Sequence, residues 1–216
     1  MDKEEKIKKY MEGILSWNEK INLTSITDPE EFYIKHIVDS LSITDLKEYK
    51  EAKRIIDIGT GGGFPGAMLA ISNPEKEYVL LDSLNKRLKV IDILLNEIEV
   101  TNAKTLHARV EDVGLSKEYR GTFDLAVTRA VSSMPVLLEY ALPLLKINGF
   151  FIAYKGEEEE EFSKALKVLG GKLIRSESAK MEKYGISHKF IIVQKIKETP
   201  KNYPRKAGTP IKDPIK

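Results

Sequence analysis

The 216-residue chain contains no cysteine. Without thiols it cannot form a disulfide, a zinc–thiolate site, an iron–sulfur cluster or a thiolate nucleophile. Histidine is also scarce, since there are only three, His36, His107 and His188, and no two of them have the H-x-x-x-H spacing of a zinc-binding helix. The composition therefore excludes cysteine-dependent catalysis and disfavours a metal site built on histidines.

Long apolar runs are lacking as well. The most apolar stretch, Val136–Tyr154, is interrupted by Glu139, Pro143 and Lys146, which makes it unsuitable as a membrane span. The first five residues, Met1–Glu5, are mostly charged and do not begin a secretory signal. Apolar residues make up 42% of the chain and charged residues 31%, a balance typical of globular domains. We expect a cytoplasmic protein with no membrane partner.

Neither sign of charge dominates the whole chain, because it contains 35 basic and 33 acidic residues. The carboxyl-terminal part differs, since residues 189–216 contain eight basic and two acidic residues. Four prolines after residue 198 predict an extended tail. Such a tail is either a solvated, disordered end or an electrostatic handle for a polyanion, and charge alone leaves both possibilities open.

The chain divides into three predicted segments. Residues 1–50 carry apolar residues at helical spacing, and Asp28 followed by Pro29 predicts the start of a helix that runs to about Leu46. Residues 51–197 alternate between strand and helix patterns. We therefore predict a helical cap at 1–50, a Rossmann-like domain at 51–197 and a basic, proline-rich tail at 198–216.

The alternation in the central segment predicts an α/β fold with a mostly parallel sheet and helices on both faces. The predicted strands are Arg54–Ile58, Tyr78–Leu81, Thr105–His107, Phe123–Thr128 and Phe150–Ala153. The predicted helices are Pro65–Ile71, Asn85–Glu97, Pro135–Leu145 and Glu157–Leu169, the last with the acidic run Glu157–Glu161 at its amino terminus. Two further runs, Lys172–Glu177 and Lys189–Ile196, have no long helix between them and are expected to close the sheet as an antiparallel pair.

A glycine-rich loop follows the first predicted strand. It reads Asp57-Ile58-Gly59-Thr60-Gly61-Gly62-Gly63-Phe64-Pro65-Gly66. In an open α/β sheet, ligands bind beyond the carboxyl ends of the strands, where glycine lets a ligand approach the backbone amides closely. The loop contains the G-x-G-x-x-G pattern of dinucleotide-binding proteins. This pattern alone is weak evidence for dinucleotide binding. The alternative is a loop that forms only a tight turn.

Acidic residues at three predicted strand ends favour a ligand other than a dinucleotide. Asp57 precedes the glycines, Asp82 ends the second strand, and Glu111-Asp112 follows the third. A carboxylate beside the loop would repel a pyrophosphate but would attract a cationic ligand. Asp82 is placed to accept hydrogen bonds from a ribose, and Glu111-Asp112 would lie near an adenine. This pattern favours S-adenosylmethionine, with Asp57 and Gly61 among its contacts.

At these residues the sequence resembles the class I S-adenosylmethionine-dependent methyltransferases. More narrowly, it resembles the bacterial small-subunit ribosomal RNA guanine-N7 methyltransferase family, also called the glucose-inhibited division protein B family. The resemblance covers nearly the whole chain and is carried by the glycine loop together with Trp17-Asn18-x-x-x-Asn22-Leu23-Thr24-x-Ile26, His36-x-x-Asp39-Ser40-Leu41, Asp82-Ser83-x-x-Lys86-Arg87, Arg109-Val110-Glu111, Arg129-Ala130, Lys155-Gly156 and Arg205-Lys206-Ala207-Gly208-Thr209-Pro210.

The resemblance implies a Rossmann-like fold and a methyl transfer to guanine N7 of 16S ribosomal RNA. It implies cofactor contacts at Gly59, Phe64, Asp82, Ser83, Leu84, Val110, Glu111 and Arg129, and an RNA-facing side with His36, Arg109, Arg129, Lys155 and Arg205. It also implies that the amino-terminal helices cap the ligand crevice. The expected partner is 16S ribosomal RNA or the small ribosomal subunit, and a monomer is the default state.

Methylation of guanine N7 needs alignment more than it needs a catalytic base, because N7 carries a lone pair and no proton. Methylation at pyrimidine C5 normally needs a thiolate, which this chain lacks. Methylation of an adenine amine commonly uses a Pro-Pro motif after the fourth strand, where this chain has Thr128-Arg129-Ala130-Val131.

Two other functions remain open at this stage: methylation of a small molecule, and a binding module without catalysis. Single residues also have simpler interpretations. His36 fits a structural histidine, Arg109 a surface ion pair and Arg205 a loose tail.

Overall fold

The computed structural model describes residues 1–129, 132–179 and 181–215. The chain forms two compact units, Met1–His107 and Ala108–Lys216. Each unit contains β-strands and helices, and each is described by itself. The predicted division into cap, central domain and tail stays a prediction.

The first unit contains three parallel strands in the order β3-β2-β1. They are β1 (Arg54–Ile58), β2 (Glu77–Asp82) and β3 (Ala103–His107). Its helices are α1 (Lys3–Asn18), α2 (Pro29–Phe32), a π-helical turn (Tyr33–Val38), α3 (Asp39–Leu41), α4 (Lys47–Glu51), α5 (Gly66–Ser72) and α6 (Asn85–Glu97). The three strands and α6 confirm the sequence predictions to within two residues.

Helix α1 is capped and packed as its sequence predicts. The Asp2 side chain accepts a hydrogen bond from the backbone N–H of Glu5 at 2.9 Å, which satisfies one of the free donors of the first turn. The helix buries one face, including Tyr10 and Ile14. At Gly13 it lies so close to Leu94 of α6 that a Cβ would come within 2.3 Å of a leucine methyl. A larger residue at this position would therefore require the Leu94 side chain to move.

The helix predicted from Asp28 to about Leu46 is shorter than expected. Asp28 does cap it, accepting from the N–H of Glu31 at 2.8 Å, but α3 ends at Leu41. Directly after this point the hydroxyl of Ser42 donates to the Asp39 carbonyl, and the hydroxyl of Thr44 donates to the Leu41 carbonyl. Serine and threonine hydroxyls that bond to nearby carbonyls offer the backbone an alternative to the helix.

The second unit contains four strands in the order β4-β5-β7-β6. They are β4 (Phe123–Arg129), β5 (Leu145–Lys155), β6 (Gly171–Ser178) and β7 (Lys189–Lys195). β4 and β5 are parallel, whereas β7 is antiparallel to both β5 and β6. Its helices are α7 (Val110–Leu115), α8 (Met134–Ala141), a 3-10 turn (Leu142–Leu144), α9 (Ser163–Leu169), a second 3-10 turn (Glu182–Tyr184) and α10 (Thr209–Lys212). The predicted α/β class with antiparallel carboxyl-terminal strands is confirmed.

Three predicted boundaries in this unit were wrong, and one helix was missed. β5 begins at Leu145 rather than at Phe150. α8 ends at Ala141 rather than at Leu145, because Pro143 has no N–H with which to continue the helix. α9 begins at Ser163 rather than at Glu157, although Glu161 accepts a hydrogen bond from the Ser163 N–H at 2.8 Å and so lies at its amino terminus as predicted. Helix α7 was not predicted, since six residues are too few to show a helical period.

The tail is folded rather than extended. It contains α10, and Thr199, Pro204, Pro210 and Ile215 are buried. The Arg120 guanidinium donates to the carbonyls of Thr199 and Tyr203 at 2.8 and 2.7 Å. A solvated, disordered end is therefore the wrong alternative. This packing could not be predicted from net charge and proline content, because neither quantity indicates which side chains of the tail contact the rest of the unit.

Candidate active site

The glycine loop between β1 and α5 is held at both ends by one buried carboxylate. Oδ2 of Asp57 accepts a hydrogen bond from the Thr60 hydroxyl at 2.6 Å and from the Gly66 N–H at 2.8 Å. The backbone takes positive φ at Gly59, Gly61 and Gly63, at 74°, 59° and 92°. Asp57, only 1% exposed, thus shapes the loop. Its predicted contact with the cofactor stays a prediction.

Asp82, at the end of β2, joins the same loop. Its Oδ2 accepts from the Gly61 N–H at 2.9 Å, and its Oδ1 accepts from the Leu84 N–H at 2.8 Å. Each carboxylate oxygen can accept a further hydrogen bond, so the expected role toward a ribose is compatible with these contacts. The neighbouring Ser83 carbonyl contacts His107 Nε2 at 3.2 Å, and the side chain of Leu84 is 50% exposed.

Two predicted site residues, His36 and Phe64, contact each other directly. Their rings stack with centroids 4.6 Å apart and planes at 9°, and Phe32 lies edge-on to both rings. His36 Nε2 lies 2.7 Å from the Thr24 hydroxyl. His36 therefore supports the ring of Phe64, which is the side chain of the glycine loop that the resemblance places at the cofactor.

Tyr10 supports the loop from α1. Its hydroxyl donates to the Gly62 carbonyl at 2.9 Å, and its ring packs edge-on against Phe64. Burial, together with the nearby charge of Asp57, raises the pKa of Tyr10 far above its usual value, so this hydroxyl stays protonated and donates. The sequence pattern does not mark Tyr10 as a site residue, because its spacing in α1 indicates only a core position.

In the second unit, Glu111 of α7 is buried and connects α7 with the tail. Its Oε1 accepts from the Gly208 N–H at 2.9 Å, from the Tyr140 hydroxyl at 3.3 Å and from Arg109 at 3.4 Å. Burial raises the pKa of Glu111, but the hydrogen bond from Gly208 and the charge of Arg109 outweigh burial and hold the pKa below its usual value. Burial and the charge of Glu111 raise the pKa of Tyr140 to about 12. Glu111 therefore stays ionised and Tyr140 neutral near pH 7.

Arg205 is bound to a buried carboxylate instead of lying loose in the tail. Its Nε and Nη2 donate to Glu139 of α8 at 3.0 and 2.7 Å, and its backbone N–H donates to the same carboxylate at 2.8 Å. Nη1 and Nη2 also contact the side chain and the carbonyl of Asp213. At least four of the five guanidinium donors are thus engaged, and an RNA contact by Arg205 stays a prediction.

Lys155, at the end of β5, is held by the acidic run. Its Nζ lies 2.5 Å from Oε1 of Glu160 and donates to the Ser132 carbonyl at 3.0 Å. Oε2 of Glu160 accepts from the N–H of Met134, the first residue of α8, at 2.6 Å. Glu160 therefore places its negative charge at the amino terminus of α8, where the helix dipole favours it.

The other predicted residues occupy separate positions in the second unit. The Arg109 side chain is 48% exposed at the start of α7, and Val110 is the first residue of that helix. Arg129 is half-buried at the end of β4. Ala130 lies outside the described residues. Glu139 was missed by the sequence analysis, although a lone acid in the most apolar helix of the chain is a signal that could have found it.

The glycine loop fits a methyl-donor nucleoside. An ideal Cβ at Gly61 would have no described atom within 4 Å, so open space lies directly over the backbone of this loop. Asp82 borders the loop with carboxylate oxygens that accept hydrogen bonds.

Across the described ranges, no group of three histidine, cysteine or acidic side chains is arranged to hold a metal ion. Nor does any helix of those ranges have the length and apolar character of a membrane span.

Comparison with known proteins supports the same interpretation. Residues 3–183 match the model of the family described as GidB, rRNA small subunit methyltransferase G. The chain belongs to this family. The ribosomal RNA small subunit methyltransferase G of Clostridium tetani (strain Massachusetts / E88) is 45% identical over 212 residues, 96% of this chain and 89% of the relative. That of Desulfitobacterium hafniense (strain Y51) is 47% identical over 218 residues, 99% and 90% of the two chains.

Solved structures agree with this methyltransferase assignment at the level of the fold. A putative O-methyltransferase from Klebsiella pneumoniae superposes with a TM-score of 0.58 at 13% identity, over 87% of this chain and 90% of that one. The structure of M. jannaschii TYW2 in complex with AdoMet superposes with a TM-score of 0.53 at 19% identity, over 67% and 68%. The predicted Rossmann-like methyltransferase fold is thus confirmed.

Proposed function

We propose that this methyltransferase transfers a methyl group from S-adenosylmethionine to N7 of a guanine in 16S ribosomal RNA. The observation that carries the proposal is the loop Asp57–Gly66, whose backbone is held by hydrogen bonds to the buried carboxylates of Asp57 and Asp82. The chain that contains this loop matches rRNA small subunit methyltransferase G along nearly its full length. The names of the relatives support ribosomal RNA of the small subunit as the substrate. Cytoplasmic location and a monomeric state stay predictions.

Residues of the first unit would hold the donor. The open space over Gly61 and the fixed backbone of Gly59 would receive it, while Asp82, flanked by Ser83 and Leu84, would accept hydrogen bonds from its ribose. Phe64, braced by His36, would supply an apolar face. Val110, Glu111 and Arg129 are proposed as donor contacts only because the resemblance implies them.

The proposed reaction requires little acid–base catalysis by the protein. When bound, the donor would supply an electrophilic methyl carbon to the N7 lone pair, with the neutral thioether as the leaving group and the positive charge left on guanine. N7 releases no proton, so no general base is needed. The chain's contribution is to orient both partners, which supplies several kcal/mol when the reacting atoms are well aligned. The RNA contacts are proposed because the resemblance implies them: His36, Arg109, Arg129, Lys155 and Arg205.

Incubation of the protein with radiolabelled S-adenosylmethionine and 16S ribosomal RNA that lacks this modification tests the proposal. We expect label on one guanine, at N7, located by cleavage of the RNA at the methylated base. Both deproteinised RNA and intact small subunits should be offered. Label on another atom, or transfer only to small molecules, would refute the proposed substrate.

The role of Lys155 can be tested through its acidic partner. Glu160→Gln removes the charge that competes for Lys155 Nζ, so we expect tighter binding of 16S ribosomal RNA, by roughly two- to fivefold at low salt. Because the two side chains are only 17% and 21% exposed, the loss of the ion pair and of the charge at the start of α8 should lower the free energy of unfolding by about 1–3 kcal/mol.

Glu158→Gln is the matched control, because it removes the same charge from the same acidic run without touching an assigned contact of Lys155. Filter binding at several salt concentrations measures both variants. Equal affinities for the two variants would contradict an RNA contact at Lys155.

A further inference from the structure

A groove of about 510 Å³ lies between α7 and the folded tail within the second unit. It is lined by apolar and polar residues, by the acids Glu111 and Asp112 and by three basic residues: Leu115, Asn202, Pro204, Ala207, Lys201, Arg205 and Lys206. This volume is within the range of pockets that bind small ligands. The glycine loop does not contribute to it.

The walls of the groove are built by specific contacts. Arg120 donates to the carbonyls of Gly114, Thr199 and Tyr203 at 2.7–2.8 Å, which joins the end of α7 to the start of the tail. Pro204 is buried against Gly114, where a Cβ would come within 2.7 Å of the proline ring. Together with the Glu111–Gly208 hydrogen bond, these contacts hold the tail in one place.

The chemistry of the lining identifies the kind of ligand. Lys201 and Lys206 are both exposed, and Leu115 is 49% exposed, so all three side chains are accessible to a ligand. Lysine ammonium groups bind phosphates, apolar side chains pack on the faces of bases, and the side chains of Asp and Asn bond to base edges. S-adenosylmethionine carries no phosphate, and its single carboxylate would leave at least one of the two lysines without a counter-charge.

We propose that this groove binds a nucleotide of the substrate RNA other than the guanine that is methylated. The inference rests on the proposed function and assigns it a second RNA contact. Lys201 and Lys206 bind the backbone phosphate, Leu115 packs against the base, and Asp112 and Asn202 bond to the base edge. Arg205 contributes by holding the wall through Glu139, and the phosphate contacts belong to the two lysines.

Three charge reversals test the proposal: Lys201→Glu, Lys206→Glu and, as the control, Lys212→Glu. All three lysines are exposed and lie in the same basic tail, but Lys212 does not line the groove. The probe is unmodified, deproteinised 16S ribosomal RNA, and filter binding gives its affinity between 50 and 300 mM salt, chosen as roughly the range in which phosphate contacts dominate.

We expect each groove variant to bind this RNA roughly tenfold more weakly at about 0.1 M salt, with a salt slope shallower by about one. Lys212→Glu should lose no more than about twofold. Leu115→Gln should weaken binding without changing the salt slope, because it removes an apolar contact and no charge. S-adenosylmethionine affinity, measured by calorimetry, should stay unchanged in all four variants.

Three results would overturn the groove assignment. Equal losses in all three lysine variants would show that the tail acts only through its net charge. Unchanged RNA binding in Lys201→Glu and Lys206→Glu would remove the phosphate contacts. Weaker binding of S-adenosylmethionine in these variants would assign the groove to the donor. Because RNA affinity is measured directly, a wild-type protein that binds RNA without methylating it would refute the proposed function and leave this comparison valid.

Discussion

Arg205→Ala is expected to lower the free energy of unfolding by about 3 kcal/mol, or roughly 6–12 °C in Tm. The reason is the unequal burial of the two partners. The side chain of Glu139 is 0% exposed and that of Arg205 is 23% exposed. Among the described residues, removing the arginine side chain leaves the carboxylate buried in α8 with the backbone N–H of residue 205 as its one remaining hydrogen-bond donor.

The same asymmetry provides the control for this prediction. Glu139→Gln should cost less than Arg205→Ala, because the arginine that remains can reach water and still contacts Asp213. The double variant should recover part of the loss, since a neutral glutamine needs no counter-charge. Thermal and urea unfolding measure all three. If Arg205→Ala lowers only RNA affinity and leaves Tm unchanged, the residue is an RNA contact and its ion pair is dispensable.

This prediction changes how a truncation of the tail should be interpreted. Deleting the residues after Pro200 removes the partner of Glu139 and also the Gly208 N–H that bonds to Glu111. Loss of RNA binding in the truncated protein would therefore follow from damage to the second unit as readily as from a lost contact. Single charge reversals in the intact tail avoid this difficulty.

Gly63→Ala is expected to destabilise the first unit by about 2–5 kcal/mol, through strain and overpacking combined. Gly63 has φ of +92°, and a Cβ there would lie 2.1 Å from the Tyr10 hydroxyl and 3.0 Å from the Ala67 methyl. Relief of this clash would require Tyr10 to move away from the Gly62 carbonyl to which it donates. Thermal unfolding and the yield of folded protein measure the effect.

Gly61→Ala is the matched variant in the same loop. Its φ of +59° costs alanine about 1–2 kcal/mol, but no described atom lies within 4 Å of the added Cβ. We therefore expect a folded protein whose affinity for S-adenosylmethionine falls by at least about tenfold, or 1.4 kcal/mol, because the methyl group occupies the space proposed for the donor. Unchanged calorimetric affinity for the donor in this variant would contradict the proposed position of the cofactor.

The amino-acid pattern was sufficient where local physics decides the structure. The β-branched runs of β1 and β2, the amphipathic helix Asn85–Glu97 and the cap at Asp28 depend on neighbours in the chain, and each was predicted close to its observed bounds. The pattern was insufficient for α7, which is too short to show a period. It also failed at the end of α3, where hydroxyls compete with the helix.

The same distinction between local and long-range interactions applies to the site residues. The glycine loop, Asp57 and Asp82 could be picked out from the sequence because they follow strands at fixed positions. Their hydrogen bonds could not, since Asp57 bonds across nine positions to Gly66 and Asp82 across twenty-one to Gly61. Tyr10 reaches Gly62 from fifty-two positions away, and no local pattern marks it.

The sequence by itself determined the class of fold, the methyltransferase family and the loop proposed to bind the donor, because glycines, strand-end acids and alternating elements are properties of short segments. Only the tertiary structure decided that Arg205 pairs with Glu139, that Glu160 holds Lys155 and that the tail forms one wall of a groove. Arg205 lies 66 positions from Glu139, and Arg120 holds the tail from 79 positions away. Glu160 is close to Lys155 in sequence, but its second contact reaches Met134, 26 positions away, at the start of α8. The cost of burying a charge alone is set by these folded surroundings rather than by its neighbours in sequence.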